Sequence, residues 1–329
     1  MRKVAVVTTG FFDGVHLGHR HVISTVVSAA RERGEEAIVV TFWPHPRTVL
    51  QQDARDFRLL TSLEEKKELL LAAGVDRVEV LPFTREFAAL KADEYLQLLR
   101  ERFGATLVVM GYDNRIGSDR KLAEEICISQ TVACATPPKG DPSSYTAEDG
   151  HGFAKHKLLL PEVSIVKEIV IPSEASVSHI SSTQIRKALA EGNIASANAM
   201  LGYRYGLYGV VVAGNRLGRT IGFPTANMQL YEPLKLVPCN GVYAVEVEVL
   251  GRSYRGMCNI GMRPTVGGTG RTIETHILGF DEDIYGLPLR IRFLRRIRDE
   301  RRFPSLEALR EQLFLDRIAC AGTEVLDSK

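Results

Sequence analysis

Several features that mark large protein classes are scarce in this chain. It holds five cysteines in 329 residues (Cys127, Cys134, Cys239, Cys258 and Cys320), and no two form a CxxC pair. An odd number without close pairs argues against a disulfide framework or a structural zinc module, and predicts reduced thiols in a cytoplasmic protein. No apolar run approaches the roughly 18–20 residues that a membrane span needs, so no membrane partner is expected. The opening MRKVAVVTTGFFDG lacks the apolar core and cleavage site of a signal peptide, and reads as a strand entering a glycine turn. Neither sign of charge prevails. Forty-two Lys and Arg face 40 Asp and Glu, a formal +2, which leaves no strong field for nucleic acid. There is no GxxxxGK(S/T) phosphate loop, no GxGxxG fingerprint, no internal repeat and no low-complexity tract. What remains is ordinary for a globular protein: 45% hydrophobic and 25% charged residues. At about 150 residues per domain, two domains are expected.

Hydrophobic patterning divides the chain. Continuous apolar runs at 3–9, 37–41, 77–81 and 106–110 alternate with helical patterns at 19–33, 66–73 and 92–102. The first helix stops at Gly34 and the second follows the capping signature Ser62-Leu63-Glu64-Glu65. This alternation predicts a parallel sheet covered by helices, with ligands beyond the carboxyl ends of its strands. The loops at 9–18, 42–47 and 111–117 should then share a cleft. Residues 137–157 read as a long exposed loop, 165–171 as a further strand and 181–191 as a helix closed by Gly192. After about Gly202 the pattern changes. Strand-like runs at 205–213, 241–250, 254–260, 274–280 and 289–295, with a tight connection at Gly251-Arg252, predict an antiparallel barrel or sandwich. An amphipathic helix at 305–319 closes the chain.

Two constellations carry chemistry. The first is Gly10-Phe11-Phe12-Asp13-Gly14-Val15-His16-Leu17-Gly18-His19, between a strand and a helix. Gly14 and Gly18 let the backbone approach a ligand, and the helix start favours phosphate. His16 and His19 could donate to charge developing on a phosphoryl group. Ile180-Ser181-Ser182-Thr183-Gln184-Ile185-Arg186 offers hydroxyls and an arginine for a polyphosphate, although such a run is more often only a helix cap. Asp113 and Arg115 of the 111–117 loop, and Pro44-His45-Pro46-Arg47, add polar groups to the same cleft. The second constellation runs from Gly214 to Asn227. Gly214, Gly218 and Gly222, spaced four apart, suit a loop folding over phosphate. Thr225 and Asn227, two apart in an extended stretch, point the same way as hard oxygen ligands of the kind Mg2+ accepts. Glu274, on an alternating strand, could accept the proton of an attacking alcohol.

GFFDGVHLGH, TFWPHPR, GYDNRIG and ISSTQIR, followed by GFPTAN, NIGMRPT, IETHILGF and RIRDERRF, resemble in sequence and order the bacterial bifunctional riboflavin kinase/FAD synthetase family. The resemblance implies a Rossmann-like nucleotidyltransferase domain at 1–200 with a parallel sheet. It implies a riboflavin kinase domain at 201–329, a six-stranded antiparallel β-barrel with a terminal helix. It implies that riboflavin and ATP give FMN on the barrel, and that FMN and ATP give FAD and pyrophosphate on the first domain, both with Mg2+. By matching positions His16 and His19 contact ATP phosphates, Ser182, Thr183 and Arg186 hold the triphosphate, and Asp113 lines the cleft. Thr225 and Asn227 take the Mg2+–ATP role, Glu274 is the base, and Asn259 and Arg298 lie near ATP and flavin. The partners implied are these small molecules, with no nucleic acid; no pattern specifies self-association. Three positions depart from the family. Asn114 and Ile116 stand where aromatic residues are common, and His179 where some relatives carry arginine. Rival readings are an HxGH enzyme with another acceptor, and a non-enzymatic flavin or nucleotide module.

Overall fold

A computed structural model describes residues 4–50, 57–111, 114–122, 124–126, 160–166, 170–173, 176–214, 217–265 and 268–322. Asp113, Cys127, Cys134 and the expected loop at 137–157 lie outside them. Two compact units are present: Met1–Phe57 with Leu63–His179, and Arg58–Ser62 with Ile180–Lys329.

The first unit is built on a parallel sheet of β1 (Ala5–Thr9), β2 (Glu36–Trp43), β3 (Arg77–Pro82), β4 (Ala105–Gly111) and β7 (Glu162–Val166), in the order β3-β2-β1-β4-β7. The β-branched strands are buried on both faces, as a helix-covered sheet requires. Ala5 and Val7 pack toward α5 (Ala92–Phe103), with Tyr95, Leu96 and Leu99. Val6 faces the other way, toward Ile23, Val26 and Ala30 of α1 (Leu17–Arg33) and Leu70 of α3 (Leu63–Ala72). Helix α1 ends at Gly34, whose φ of 64° lets its N–H close the last turn. The short helices α2 (Pro46–Leu50) and α4 (Arg85–Ala88) and the hairpin β5–β6 (Arg115–Ile116, Lys121–Leu122) lie in the connections. The strand expected at 165–171 is divided. Its start belongs to β7, and its end to β8 (Val170–Ser173), which pairs antiparallel with β9 (Ser176–His179).

The second unit is a closed barrel in the order β10-β11-β14-β13-β12-β15. Its strands are β10 (Gly206–Val212), β11 (Ala226–Leu230), β12 (Gly241–Val249), β13 (Arg252–Thr265), β14 (Gly268–Ile277) and β15 (Pro288–Arg298). Alternation sends Leu207, Tyr243, Val245, Val247, Ile291 and Phe293 inward, all fully buried. The tight connection comprises Leu250 and Gly251, at φ 53° and 70°, because Val249 pairs with Arg252. Two left-handed central residues make the primed turn whose twist matches a hairpin. The expected turn at Gly251-Arg252 is thus shifted by one residue.

The compact units part at His179/Ile180, whereas the resemblance implies domains at 1–200 and 201–329. Helices α6 (Ser182–Glu191) and α7 (Ile194–Leu201) bond to barrel elements. The Cys239 N–H donates to the Leu189 carbonyl at 3.1 Å. The Asn198 amide donates to the Phe293 carbonyl at 3.0 Å and accepts from the Tyr205 N–H at 2.8 Å. Arg58–Ser62 joins them, with the Leu59 N–H on the Leu234 carbonyl at 2.7 Å and the Leu236 N–H on the Leu59 carbonyl at 2.8 Å.

Helix α9 (Leu306–Ala321), capped by Ser305, packs near Phe223, Val242, Ala244 and Met257 through Cys320. It is fastened by Arg298, whose Nε and Nη2 reach the Asp316 carboxylate at 2.8–3.1 Å, and Asp316 is only 1% exposed. Asp316→Ala leaves Arg298 without its counter-charge, and should lower unfolding free energy by roughly 3–5 kcal/mol. Denaturant unfolding of the barrel checks this; a change under about 1 kcal/mol would mean the pair is replaced by solvent.

Candidate active sites

In the first unit the connections after β1, β2 and β4 meet at the carboxyl end of the sheet. The Thr41 hydroxyl donates to the Phe11 carbonyl at 3.1 Å, and the Asn114 amide to the Thr9 carbonyl at 3.4 Å. His45 sets its ring edge-on to Phe11, centroids 4.0 Å apart, and packs on Phe57 at 4.2 Å. The strand order reverses between β1 and β4, where α/β sheets open a ligand crevice. The turn entering α1 is strained: Phe12, Gly14 and Val15 have φ of 52°, 82° and 38°. A β-branched residue at positive φ persists only when its surroundings hold it, and Val15 is fully buried.

This turn delivers His16 as the N-cap of α1. Its Nδ1 accepts the His19 N–H at 3.3 Å, which in the neutral ring leaves the proton on Nε2. The imidazoles of His16 and His19 stack at 3.6 Å with planes 18° apart. His19 Nδ1 is buried with no hydrogen-bond partner among the described residues. Burial first, then the charges of His16 and Lys66, holds the His19 imidazole well below the ordinary histidine range. The His19 imidazole, with its buried Nδ1 unpartnered among the described residues, at a helix start whose first turn holds no acidic residue, suits an incoming polyanion. Gly14 lies within the strained turn and Gly18 in the first turn of α1.

Lys66, on α3, has no surface exposure. Sequence reasoning missed it, although its place four residues before the buried Leu70 puts it on the apolar face of that helix. Of the departures from the family, Ile116 is a member of the hydrophobic core, and Asn114 sits against the end of β1. His179 ends β9.

In the second unit, Ser181 caps α6 by accepting the Gln184 N–H at 3.3 Å. Ser182 and Thr183 thereby occupy its first turn. The Arg186 Nε donates to the Arg58 carbonyl at 2.9 Å.

The barrel site is a consequence of register. Asn227 of β11 pairs with Glu274 of β14, and Glu274 with Asn259 of β13. Asn259 pairs with Val242 of β12, and Val242 with Arg298 of β15. One transverse row on the outer face therefore carries Asn227, Glu274, Asn259 and Arg298. Thr225, two before Asn227, shares that face. Asn227, expected in an extended stretch between barrel strands, stands in β11. His276 was not assigned. It lies two residues from Glu274, so period-2 alternation could have found it. Its Nδ1 is 2.8 Å from the Pro224 carbonyl and its ring 5.3 Å from Phe223, which ties the 223–225 turn to β14. Burial lowers its pKa.

Two clefts adjoin Thr225. One of about 320 Å³ is lined by Thr225, Asn259, Glu274, His276, Arg298 and Glu300. The other, of about 350 Å³, is lined by Thr225, Arg219, Asp281, Glu282, Asp283 and Tyr285. Asn227 pairs with Glu274 in register and sets its amide against Gly214, where a Cβ would come within 2.1 Å of Nδ2. Thr225 and Asn227 supply two neutral oxygens, enough for a cation that takes its other ligands from phosphate and water. Gly218 opens the short helix α8 (Leu217–Thr220) and accepts the Phe223 N–H at 2.8 Å. A Cβ there would lie 2.2 Å from the Phe223 carbonyl oxygen. Gly222, at φ 83°, lets the chain turn back. Gly218→Ala must open this turn and displace Thr225. The reaction that the resemblance implies for the barrel should fall roughly 10²-fold, with that implied for the first unit unchanged in the same preparation. Equal rates in variant and parent would remove the turn from the site.

Comparison with known proteins agrees with this two-part arrangement. A riboflavin kinase family model matches residues 201–321, and an FAD synthetase model matches 1–134. The bifunctional riboflavin kinase/FMN adenylyltransferase of Bacillus subtilis is 34% identical over 316 residues, covering 95% of this chain and 90% of its own. That of Escherichia coli K12 is 36% identical over 319 residues, with the same coverage. A crystal structure described as a macrolide-efflux protein from Streptococcus pneumoniae is 32% identical with a TM-score of 0.83, covering 98% of this chain and 96% of that one. Among the described residues no helix is long and apolar enough to cross a membrane.

Proposed function

This chain belongs to the bifunctional riboflavin kinase/FMN adenylyltransferase family, and from that premise we propose that it makes FMN and then FAD, one reaction on each set of site residues. On the barrel, the 5′-hydroxyl of riboflavin attacks the γ-phosphorus of ATP and ADP leaves. The observation that carries this reading is Thr225 at the junction of two clefts, with Asn227 and Glu274 paired beside it. The Glu274 cleft takes the flavin alcohol and the Arg219 cleft takes ATP. Glu274 receives the hydroxyl proton as the new P–O bond forms, a step the weakly acidic alcohol needs at neutral pH. Thr225 and Asn227 would hold Mg2+, which supplies charge neutralisation at the transferred phosphoryl group. Asn259 orients the acceptor. Arg298, engaged by Asp316, positions α9 beside it.

Adenylylation is assigned to residues 1–200. A phosphate oxygen of FMN attacks the α-phosphorus of a second ATP and pyrophosphate leaves. That oxygen is already ionised, so no general base is required. His16 and His19 donate to the charge gathering on pyrophosphate. Gly14 and Gly18 keep the turn open to phosphate; a triphosphate role for Ser182, Thr183 and Arg186 is proposed on resemblance alone. Asp113 is proposed as a cleft residue on resemblance alone. The free thiols of Cys239, Cys258 and Cys320 accord with a reducing, cytoplasmic setting. Incubation with riboflavin, ATP and Mg2+, followed by chromatography of the flavins, tests the proposal. FMN and FAD are expected in sequence; an unchanged riboflavin peak overturns it.

A further inference from the structure

The mechanism above leaves the buried ammonium of Lys66 unused. The Lys66 ammonium lies 3.4 Å from the Phe11 ring centroid and 3.4 Å from the Thr41 hydroxyl, with no solvent exposure. An ammonium has three donors, and burying it is costly unless its charge serves a purpose. One contact, Phe11, belongs to the turn that presents the histidines, and the other, Thr41, lies on β2. Phe11 opens the strained 11–15 segment, and Thr41 itself donates to the Phe11 carbonyl. Lys66, Thr41 and Phe11 therefore form a closed triangle beneath that turn. Two charged influences connect it with the site: the buried Asp13 of the same turn stabilises the ammonium, and the ammonium acts on His19.

We propose that Lys66 is a positioning residue for adenylyl transfer, pinning the Phe11 end of the turn under His16 and His19 and lending fixed positive charge to a nucleotide polyphosphate bound there. This rests on assigning the histidine pair to adenylylation. The packing supplies what a phosphate site needs from below: a cation close enough to act on a dianion, and screened from water by Phe11 so that its field is not dissipated. It also explains why an α3 position that faces the core carries lysine instead of leucine. Burial brings the Lys66 pKa down to about 8 against the opposing pull of Asp13. The charged and titratable groups coupled to it are Asp13 from the turn and His19 from the start of α1.

The test uses the full chain, so that kinase activity reports on integrity in the same tube. Lys66→Met keeps the volume and removes the charge. We expect its kcat for FAD formation from FMN to drop at least tenfold, with riboflavin phosphorylation within twofold of the parent. Lys66→Arg should recover part of the loss. The parent's adenylylation rate should also decline above about pH 8 as Lys66 deprotonates, a limb missing from Lys66→Met and from the kinase reaction. Adenylylation within twofold of the parent in Lys66→Met overturns the proposal. If that variant loses both activities through misfolding, the parent's pH profile decides, and absence of its alkaline limb overturns it. His19→Ala separates this idea from its premise. Retained adenylylation there defeats the site assignment, whereas loss there with retention in Lys66→Met defeats only the role of Lys66.

Discussion

His19→Ala is expected to reduce FAD formation from FMN by roughly 10²–10³-fold while riboflavin phosphorylation stays within twofold of the parent. The size follows from what one preorganised donor contributes to a developing oxyanion, about 3–4 kcal/mol. Three observations favour His19 for that part. It stacks on the N-capping His16 at 3.6 Å. Its Nδ1 is buried without a partner among the described residues. It is held neutral in the free protein by burial and by neighbouring positive charge. A polyanion arriving at the helix start reverses that balance, because a nearby negative charge favours the protonated imidazole. Binding should therefore take up protons near neutral pH, measurable as buffer-dependent heat in calorimetry. The same depression has a sign for stability. Below pH about 6.5 the unfolded histidine takes up a proton that the folded one refuses, so stability declines as pH falls. His19→Ala should lessen that decline. Loss of both activities in a folded His19→Ala protein would defeat the assignment of one reaction to each site.

Glu274→Gln should have the opposite signature. FMN formation should drop about 10²–10⁴-fold, the range that a positioned general base provides, and FAD formation from supplied FMN should be unaffected. The substitution is nearly isosteric, and Glu274 sits between Asn227 and Asn259 in the barrel register, where an amide finds amide neighbours. The barrel should remain folded. The loss should appear in kcat with little change in KM for ATP, because the carboxylate acts on the alcohol proton and not on the nucleotide. A rise in KM at unchanged kcat would move Glu274 from base to ligand.

These two predictions draw on unequal shares of sequence and tertiary information. The histidine motif was legible because a strand, a glycine turn and a helix follow one another within a few residues, and local order suffices to put both histidines at a helix start, where phosphate is favoured. The sequence could not disclose that His16 would be the cap, or that the turn would be held by the full burial of Val15. Glu274 could be named as a base from its motif, but a glutamate on an alternating strand is usually solvent-facing. Its meaning depends on β11 and β13 bringing Asn227 and Asn259 to either side. Arg298 shows the limit from the other direction. Its motif suggested a ligand contact; it lines the Glu274 cleft, and its guanidinium is also engaged by Asp316 of α9.

By itself the sequence determined the class of each half, an α/β layer and a β-barrel, because periods of 3.6 and 2 are set by backbone geometry and need no distant partner. It also showed the strand, glycine turn and helix that present His16 and His19, and the side-chain oxygens of Thr225 and Asn227 two residues apart. Only the tertiary structure decided that residues 180–201 and Arg58–Ser62 pack with the barrel, that Thr225 serves two clefts at once, and that a lysine lies beneath the histidine turn. The physical reason is that strand register, burial and the partners of a buried charge are properties of chain segments brought together from far apart, and composition and periodicity describe only neighbours along the chain.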